Sequence, residues 1–363
     1  MLARYAGDFS IIWIPACAGM TQYYANGLFW MRAANDHAAC SGCSLCLLVC
    51  PMWRRSRDIS LSAHGYAKAL QHGASANEIA TAVWSCTLCG ACDPVCPEQI
   101  DVTGMILKLR RQWAHPEEPT LQARMAAQGA RPPATQLAAA TALLPDSALR
   151  EHPDTLARIT NLLGKDSTLA IIDDDGADIA LALEAGADIP PYRLQRFLDP
   201  LRGCNKIIVA DGLLLKHLKQ WLPAVNFISM GEALSCHTAV RRRLRATDLY
   251  VIEPRAYHAD YQRLVKHYDR LRAESGSAFN LDLQRIAIPA TSCSLPQRLG
   301  LIALDDDEQA RWVLHGRSIT RIVVESMEDR AALVKVSDVP VVHLADLVED
   351  GAQSLLKDFY AYS

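Results

Sequence analysis

Hydrophobic residues follow two different periods along this chain. In the first third, apolar side chains recur at helical spacing, as at Met105, Leu109 and Trp113, which places them on one face of a helix. From about residue 169 onward, short apolar runs such as Lys206–Asp211 and Arg321–Ser326 alternate with amphipathic segments. Short buried strands separated by helices predict α/β units with largely parallel sheets.

The α/β pattern occurs twice. Three segments have counterparts at offsets of 114 to 117 residues: Leu169–Gly176 with Ile286–Cys293, Lys206–Asp211 with Arg321–Ser326, and Val225–Leu234 with Val339–Val348. Segments repeated at a nearly constant offset indicate duplicated units of one fold. We therefore predict two repeated α/β units, residues 136–245 and 246–363, with Leu249–Glu253 opening the second.

A stretch rich in Pro, Ala and Gln, residues 116–135, precedes these units and is typical of a linker. The helical pattern lies before it, in residues 31–115. The predicted fold class is therefore α+β multidomain, an α-helical domain followed by two repeated α/β units.

Composition and charge narrow the class of protein. The chain has 363 residues, of which 50% are hydrophobic and 21% charged, with a formal net charge of −3. These values are typical of a globular protein rather than a disordered one, and the even charge balance argues against a nucleic-acid partner. The apolar run Ile11–Met20 is interrupted by Pro15 and is half of the roughly 20 residues that a membrane span needs. We expect a cytoplasmic protein with no span of its own.

The N-terminus carries an unusual segment. Trp13–Thr21 resembles the peptide encoded by a dispersed intergenic DNA repeat of proteobacteria. We therefore expect residues 1–30 to be a non-native or disordered extension, Met31 to be the true start and Cys17 to have no role. The alternative is a signal peptide, with Arg4 ahead of the apolar run.

Eight of the twelve cysteines fall into two groups with the same spacing. The groups are Cys40-x2-Cys43-x2-Cys46-x3-Cys50-Pro51 and Cys86-x2-Cys89-x2-Cys92-x3-Cys96-Pro97. Grouped cysteines in a chain of this length indicate a metal centre rather than disulfides. Both groups match the bacterial iron–sulfur run, whereas zinc ligands are usually two pairs separated by a long gap.

The two runs resemble those of two-cluster ferredoxins, in which the fourth cysteine of each run ligates the other cluster. The resemblance implies two [4Fe–4S] clusters with crossed ligands. Cluster 1 would be held by Cys40, Cys43, Cys46 and Cys96, and cluster 2 by Cys86, Cys89, Cys92 and Cys50.

The 35-residue spacer between the runs is longer than the β-hairpin of the smallest ferredoxins. Within it, Ala63–Leu70 and Ala76–Trp84 predict two short helices separated by Gly73, the layout of an α-helical ferredoxin. Three aromatic residues could shield the clusters or belong to the ordinary core: Trp53, Tyr66 and Trp84.

With these motifs, residues 37–113 resemble the dicluster domain of the heterodisulfide reductase C/D-like family. Similar domains occur in the iron–sulfur proteins of glycolate oxidase, anaerobic glycerol-3-phosphate dehydrogenase and lactate-utilisation complexes. In that family two cysteine-rich CCG domains often follow. The resemblance implies electron transfer within an oxidoreductase complex.

The two α/β units resemble CCG domains in layout but lack most of the expected cysteines. In the second unit, Tyr257–Tyr261 resembles Tyr-His-Asp-Pro-Cys with Tyr261 in place of the cysteine, and Ser292–Ser294 and Ser326–Asp329 occupy two further cysteine motifs. In the first unit, those two motifs fall at Asp174–Gly176 and Asp211–Leu214. Because only Cys293 remains, we expect degenerate CCG domains that have lost the family's non-cubane iron–sulfur or zinc centre.

Several residues outside the two runs could have roles of their own. We expect Cys204, Cys236 and Cys293 to be buried small hydrophobes, with a redox role for Cys293 as the alternative. His258 is expected to be structural rather than to orient a loop.

Charged runs are expected to lie in solvent. The acidic runs Asp173–Asp175 and Asp305–Glu308 follow strand-like segments, where ligand or Mg²⁺ binding is the alternative. Arg241–Arg245 is expected to be an exposed helix end, or else a docking patch for an acidic partner.

These observations favour an electron-transfer subunit with no catalytic residue of its own. It would carry single electrons between a flavoprotein dehydrogenase or oxidase subunit and another redox subunit, such as a membrane cytochrome. Two alternatives stay open: a catalytic heterodisulfide- or quinone-reductase that uses Cys293 or the repeats, and a redox-sensing assembly protein.

Overall fold

The structure, a computed structural model, describes residues 36–75, 77–112, 140–164, 169–283, 285–291, 294–299 and 307–348, and positions 123 and 126. The predicted extension at 1–30 with Cys17, most of the predicted linker at 116–135, and Cys293 lie outside the described residues. So do Trp113, Ser292, Asp305 and Asp306.

The N-terminal region is helical, as predicted. Its helices are α1 (Leu45–Val49), α2 (Pro51–Ser56), α3 (Ala63–Gln71), α4 (Ala80–Ser85) and α5 (Val102–Gln112), with 3₁₀ turns at His37–Ala39, Ile59–Leu61 and Asn77–Ile79. α2 begins at Pro51, whose fixed φ suits the first turn of a helix. The two helices predicted in the spacer correspond to α3 and α4.

The helices of this region pack around a small apolar core. Tyr66 from α3, Val83 from α4 and Ile106 from α5 are at most 2% exposed and belong to one cluster with the partly buried cysteines. Met105 and Leu109 face the same core, which confirms the helical period of this segment. The apolar side chains therefore surround the cysteine loops.

The first α/β unit has a four-stranded parallel sheet of order β2-β1-β3-β4. Its strands are β1 (Thr141–Leu144), β2 (Leu169–Ile171), β3 (Lys206–Val209) and β4 (Asn226–Ser229). Its helices are α6 (Ser147–Arg150), α7 (Pro153–Gly164), α8 (Ala177–Ala185), α9 (Pro191–Leu201), α10 (Gly212–Trp221), α11 (Met230–Cys236) and α12 (Thr238–Arg241).

The second unit has a parallel sheet of order β10-β9-β5-β6. Its strands are β5 (Asp248–Val251), β6 (Ala278–Phe279), β9 (Arg321–Val324) and β10 (Val341–His343), and β7 (Leu281–Asp282) and β8 (Ile286–Ala287) form an antiparallel pair. Its helices are α13 (Pro254–Ala259), α14 (Tyr261–Ser275), α15 (Leu295–Arg298), α16 (Asp307–Leu314) and α17 (Met327–Val334), with a 3₁₀ turn at Leu344–Leu347.

From the opposite edge, the second sheet has the order β6-β5-β9-β10 and thus repeats the first. β3 corresponds to β9 and β4 to β10, as the sequence repeat predicts. The counterpart of β2 is β6 rather than the segment at Ile286, because the β7–β8 hairpin is inserted after β6. The prediction of two parallel α/β units is confirmed, whereas the boundaries at residues 115, 136 and 245 stay predictions.

Polar contacts join the three parts of the described chain. Lys216 of α10 donates to Thr103 Oγ1 of α5 at 2.6 Å, which joins the first unit to the helical region. Arg158 of α7 pairs with Asp346 at 2.7 Å, which joins the two units. Among the described helices, none is both long enough and apolar enough to cross a membrane.

Candidate functional site: the cysteine cavities and their surroundings

Cys40, Cys43, Cys46 and Cys96 line one cavity. Three of them come from the first run, and the fourth comes from the end of the second run. The loop between them turns through two residues of positive φ, Gly42 at 81° and Ser44 at 64°. Left-handed residues reverse the backbone locally, which lets successive cysteines face the same side.

Cys50, Cys86, Cys89 and Cys92 line a second cavity. Leu88 and Gly90 have φ of 54° and 75°, so positive φ occurs at the same two motif positions as in the first run. The structure thus brings together the two sets of cysteines that the resemblance implied, with the fourth cysteine of each run beside the other run.

The thiols of both cavities fit an iron–sulfur cluster chemically. Burial, together with neighbouring cysteines, raises the pKa of Cys46 and Cys50 to about 11 and that of Cys89 to about 12. Thiolates packed in this way need a cationic core to balance them. No three His, Cys, Asp or Glu side chains of the described chain converge on a point suited to a single metal ion. The four cysteines of a four-iron cluster surround it from different sides, so they need not converge on one point.

The two cavities differ in their access to solvent. Cys43 in the first is exposed, whereas Cys89 in the second is buried. Tyr66 lines the second cavity and is 2% exposed, and burial together with nearby cysteines raises its pKa. Of the three aromatics considered as shields, Tyr66 alone lines a cysteine cavity, since Trp53 and Trp84 line neither.

Three side chains hold carbonyl oxygens of the second cysteine loop. Arg110 of α5 donates to Cys86 O at 2.5 Å, and Arg255 of α13 donates to Thr87 O at 2.8 Å. His258 Nδ1 lies 2.8 Å from Cys89 O. Two of these three residues belong to the second α/β unit, so that unit contacts the loop directly.

The contact with the Cys89 carbonyl is compatible with both roles expected for His258, a structural histidine and one that orients a loop. Burial lowers the pKa of His258 to about 4, so the ring is neutral near pH 7 and its Nδ1–H donates to the carbonyl. Sequence reasoning missed Arg110 and Arg255, because nothing in their local sequence marks them.

At the first cysteine loop the corresponding contacts come from the helical region itself. Lys68 Nζ and Gln71 Nε2 of α3 each donate to Cys40 O at 2.9 Å. Ser44 Oγ lies 3.2 Å from His64 Nδ1. The first loop is therefore held from within its own domain, unlike the second.

A cavity of about 270 Å³ lies beside Cys89, where both parallel sheets end. Six carboxyls line its wall, at the ends of strands or the starts of helices. In four of them the pKa is raised: Asp146, Asp211, Glu253 and Asp329. Burial raises the pKa of Asp146 and Asp329 to about 7, that of Glu253 to about 8, and that of Asp211 as well. The cavity thus presents protonatable groups next to the second cysteine loop.

Three of these carboxyls cap helices. Asp146 accepts from Leu149 N at 2.7 Å, Asp211 from Leu214 N at 2.9 Å, and Glu253 from Ala256 N at 2.6 Å. Asp211 lies in a segment that the sequence resemblance singled out, whereas Asp146 and Glu253 were not predicted as site residues. An acidic residue between a strand and a helix is the signal that could have found them.

Within the acidic run Asp173–Asp175, Asp173 is exposed as expected, but the other two carboxylates are not solvated loop charge, which corrects the expectation for them. Asp174 and Asp175 are 6% and 3% exposed. Arg193 donates to both oxygens of Asp174 at 2.8 Å and to Asp178, and Arg150 lies 3.3 Å from Asp175. Buried carboxylates persist here because guanidinium groups neutralise them.

The isolated cysteines divide between core and surface. Cys204 is buried, as expected, but Cys236 is exposed, which corrects the expectation. Cys236 is the last residue of α11, where the chain turns at His237. Arg242, Arg243 and Arg245 are exposed and follow the end of α12, in agreement with a helix end at the surface.

Comparison with known proteins identifies the helical region. No curated protein and no solved structure matches the chain. Residues 36–100 match the family model of the 4Fe-4S dicluster domain, and all eight grouped cysteines lie within that range. The chain therefore contains a 4Fe-4S dicluster domain that binds two [4Fe–4S] clusters and serves electron transfer.

Proposed function

We propose that this chain is the electron-transfer subunit of an oxidoreductase complex and carries single electrons between a partner dehydrogenase and a second redox carrier. The main supporting observation is the spatial interleaving of the two cysteine sets. Cys46 within α1 lines the first cavity, and Cys50, the residue that ends α1, lines the second. When bound, two such clusters supply one-electron transfer between neighbouring centres.

The crossed ligand assignment is part of this proposal. Cluster 1 takes Cys40, Cys43, Cys46 and Cys96, and cluster 2 takes Cys86, Cys89, Cys92 and Cys50. The grouping of the same cysteines around two cavities supports it. The identical positions of the positive-φ residues in the two loops support equivalent roles for the two runs.

We place the partner contact at cluster 1. The exposed Cys43 lies next to α1, whose Leu45 and Leu48 are 40% and 49% exposed. Exposed apolar side chains beside a redox centre suit a transient protein contact. A flavoprotein dehydrogenase or oxidase subunit, or another redox subunit, would approach here.

We further propose that the α/β units are degenerate CCG domains of the heterodisulfide reductase type. Asp211, Ser326 and Asp329 stand at positions where the family carries cysteines, and all three line the cavity beside Cys89. None of these three is a thiol, so the described wall of the cavity does not supply the donor set of a non-cubane centre. The α/β units then influence cluster 2 and the docking of partners, and they do not serve as a second metal centre.

Iron content tests the proposal most directly. The full chain, purified and reconstituted anaerobically, should hold about eight iron and eight sulfide per chain, both clusters reducible by one electron each. Cys89→Ser should lower the iron content, whereas Cys204→Ser, a buried cysteine away from the cavities, should leave it unchanged. Fewer than about seven iron atoms in the unaltered chain, or loss on Cys204→Ser, contradicts the proposal.

The cavity beside Cys89 favours one alternative, a reductase of a disulfide or a quinone. Either acceptor takes up two electrons and two protons, and Glu253 and Asp329 hold protons in the cavity wall near pH 7. Glu253→Gln should then slow turnover of such an acceptor at least tenfold, while iron content stays complete. Unchanged turnover in Glu253→Gln and Cys293→Ser removes this alternative.

A further inference from the structure

We infer that Arg255, together with Arg110, sets the reduction potential of cluster 2, and that the two α/β units control this cluster through a buried ionic hub. The inference rests on the proposed ligand assignment. It gives the α/β units a direct role in electron transfer, although they carry no cluster of their own.

The ionic hub consists of Arg110, Glu184, Arg255 and Arg298. Arg255 Nη2 lies 2.8 Å from Thr87 O and 3.0 Å from Glu184 Oε1. Arg110 donates to Cys86 O at 2.5 Å and to Glu184 O at 2.6 Å. Arg298 pairs with the other carboxylate oxygen of Glu184. Each guanidinium is therefore fixed by at least one contact.

Every part of the described fold contributes to the hub. Arg110 comes from α5 of the dicluster domain, Glu184 from α8 of the first unit, and Arg255 and Arg298 from α13 and α15 of the second unit. Thr87 directly follows Cys86, a ligand of cluster 2. The contact at Thr87 therefore links the second unit to the cluster loop, and Glu184 links the first unit to both arginines.

The hub places excess positive charge beside cluster 2. Arg255 and Arg298 pair with the Glu184 carboxylate, whereas Arg110 donates to the Glu184 backbone carbonyl. Arg110 and Glu184 are 0% and 4% exposed. Asp211 and Glu253 also lie near Arg255, but burial raises the pKa of both carboxyls, which favours their uncharged forms. Burial weakens solvent screening, so these charges act more strongly than surface charges would. Glu328 also approaches Arg298, at 4.0 Å, but its side chain is 54% exposed, so solvent screens it.

Reduction makes a four-cysteine cluster more negative. The buried surroundings of cluster 2 oppose this change, because a low dielectric penalises added charge. Nearby cations and hydrogen bonds favour the reduced form. Arg255 and Arg110 therefore offset the effect of burial and keep cluster 2 reducible.

Cluster 1 provides an internal comparison. Its loop receives a cation from Lys68, which donates to Cys40 O at 2.9 Å, but its Cys43 is exposed. Solvent screens charge there, and no residue of the α/β units is needed to hold the Cys40 carbonyl. The hub should therefore act on one cluster only.

Redox titration of the iron-loaded full chain, followed by electron paramagnetic resonance, tests the inference. In Arg255→Met, one of the two cluster signals should shift to a more negative potential, and Arg255→Lys should restore most of the original value. Lys68→Met, which removes the cation of the first cysteine loop, is the matched control and should leave that signal unchanged. Unchanged potentials in Arg255→Met with full iron content overturn the inference.

Glu184→Gln separates an electrostatic role from a purely structural one. Removing the only carboxylate of the hub should shift the same signal in the opposite direction, to a more positive potential. If the hub merely holds the loop in place, Arg255→Met and Glu184→Gln shift it in the same direction, which also overturns the inference. If Arg255→Met fails to fold, the direction of the potential shift in Glu184→Gln tests the inference by itself. Incomplete iron loading of the unaltered chain would instead count against the proposed function.

Discussion

Single residues of the cysteine loops have backbone conformations that a side chain normally disfavours. Leu88 has φ of 54° at the motif position that Gly42 occupies in the first loop, and a left-handed residue other than glycine costs about 1–2 kcal/mol. Its side chain is 4% exposed in the core of the dicluster domain. Apolar burial therefore offsets the cost at Leu88, while Gly90 must remain without a side chain because His258 packs against it.

Gly90→Ala should destabilise the dicluster domain for two reasons. Gly90 has φ of 75°, and a Cβ there would lie 2.9 Å from His258 Cβ. We expect the conformational cost of about 1–2 kcal/mol plus about 1–3 kcal/mol for the overpacked contact. The thermal midpoint of the iron-loaded chain, followed by circular dichroism, measures the loss.

Gly73→Ala is the matched control for this prediction. Gly73 has φ of 82°, but a Cβ there would meet nothing within 4 Å. It should therefore show the conformational cost alone. Equal losses in the two variants would mean that His258 does not constrain the second cysteine loop.

At the scale of elements, both α/β units use the same connection from strand to helix. β1 and β5 are the counterparts in the two sheets, and each is followed by an acidic residue that caps the next helix, Asp146 for α6 and Glu253 for α13. Because all strands of each main sheet are parallel, their carboxyl ends meet at one edge. The capping carboxyls of the two units consequently meet in one buried cavity, where their proton affinities rise.

The raised pKa of Glu253 predicts a stability that falls as pH rises. Its pKa is about 8 in the folded chain against 4.5 for the ordinary carboxyl, so between these values the folded state binds more protons. The stabilisation is complete below about pH 4.5 and is lost as pH passes 8, with a slope of at most about 1.4 kcal/mol per pH unit for one group. Asp146 and Asp329 contribute in the same direction up to about pH 7.

Glu253→Gln should reduce this pH dependence, because glutamine has no proton to lose. Thermal midpoints of the iron-loaded chain measured from about pH 5 to about pH 8.5 give the slope. Glu151→Gln, an exposed carboxyl at the end of α6, is the control and should keep the original slope. A Glu253→Gln variant with an unaltered slope contradicts the prediction.

At the scale of the whole molecule, both α/β units help to hold the second cysteine loop. The second unit holds the Thr87 and Cys89 carbonyls through Arg255 and His258, and the first unit fixes Arg255 through Glu184. The first cysteine loop has an exposed Cys43, and its Cys40 carbonyl is held by Lys68 and Gln71 of α3. The two cysteine loops therefore differ in which part of the chain supports them.

The sequence by itself determined the features that depend on short spacing. The Cys-x2-Cys-x2-Cys-x3-Cys runs identify the dicluster domain, the helical period gives α5, and apolar runs give most strands of the two parallel sheets. It did not mark β1 as a strand, because Thr141–Leu144 lies in an Ala-rich stretch. The β7–β8 hairpin, which displaces the counterpart of β2, was likewise not predicted.

Only the tertiary structure decided what surrounds the second cysteine loop. Arg255 and Thr87 are 168 positions apart, and Asp146, Asp211 and Glu253 meet only where two sheets end side by side. The burial of Asp174 likewise depends on a tertiary contact, because its partner Arg193 lies on α9. Local periodicity indicates which face of a helix or strand is buried. The contacts that set local charge and proton affinity form between elements that are distant in the sequence. Only the folded structure brings such elements together.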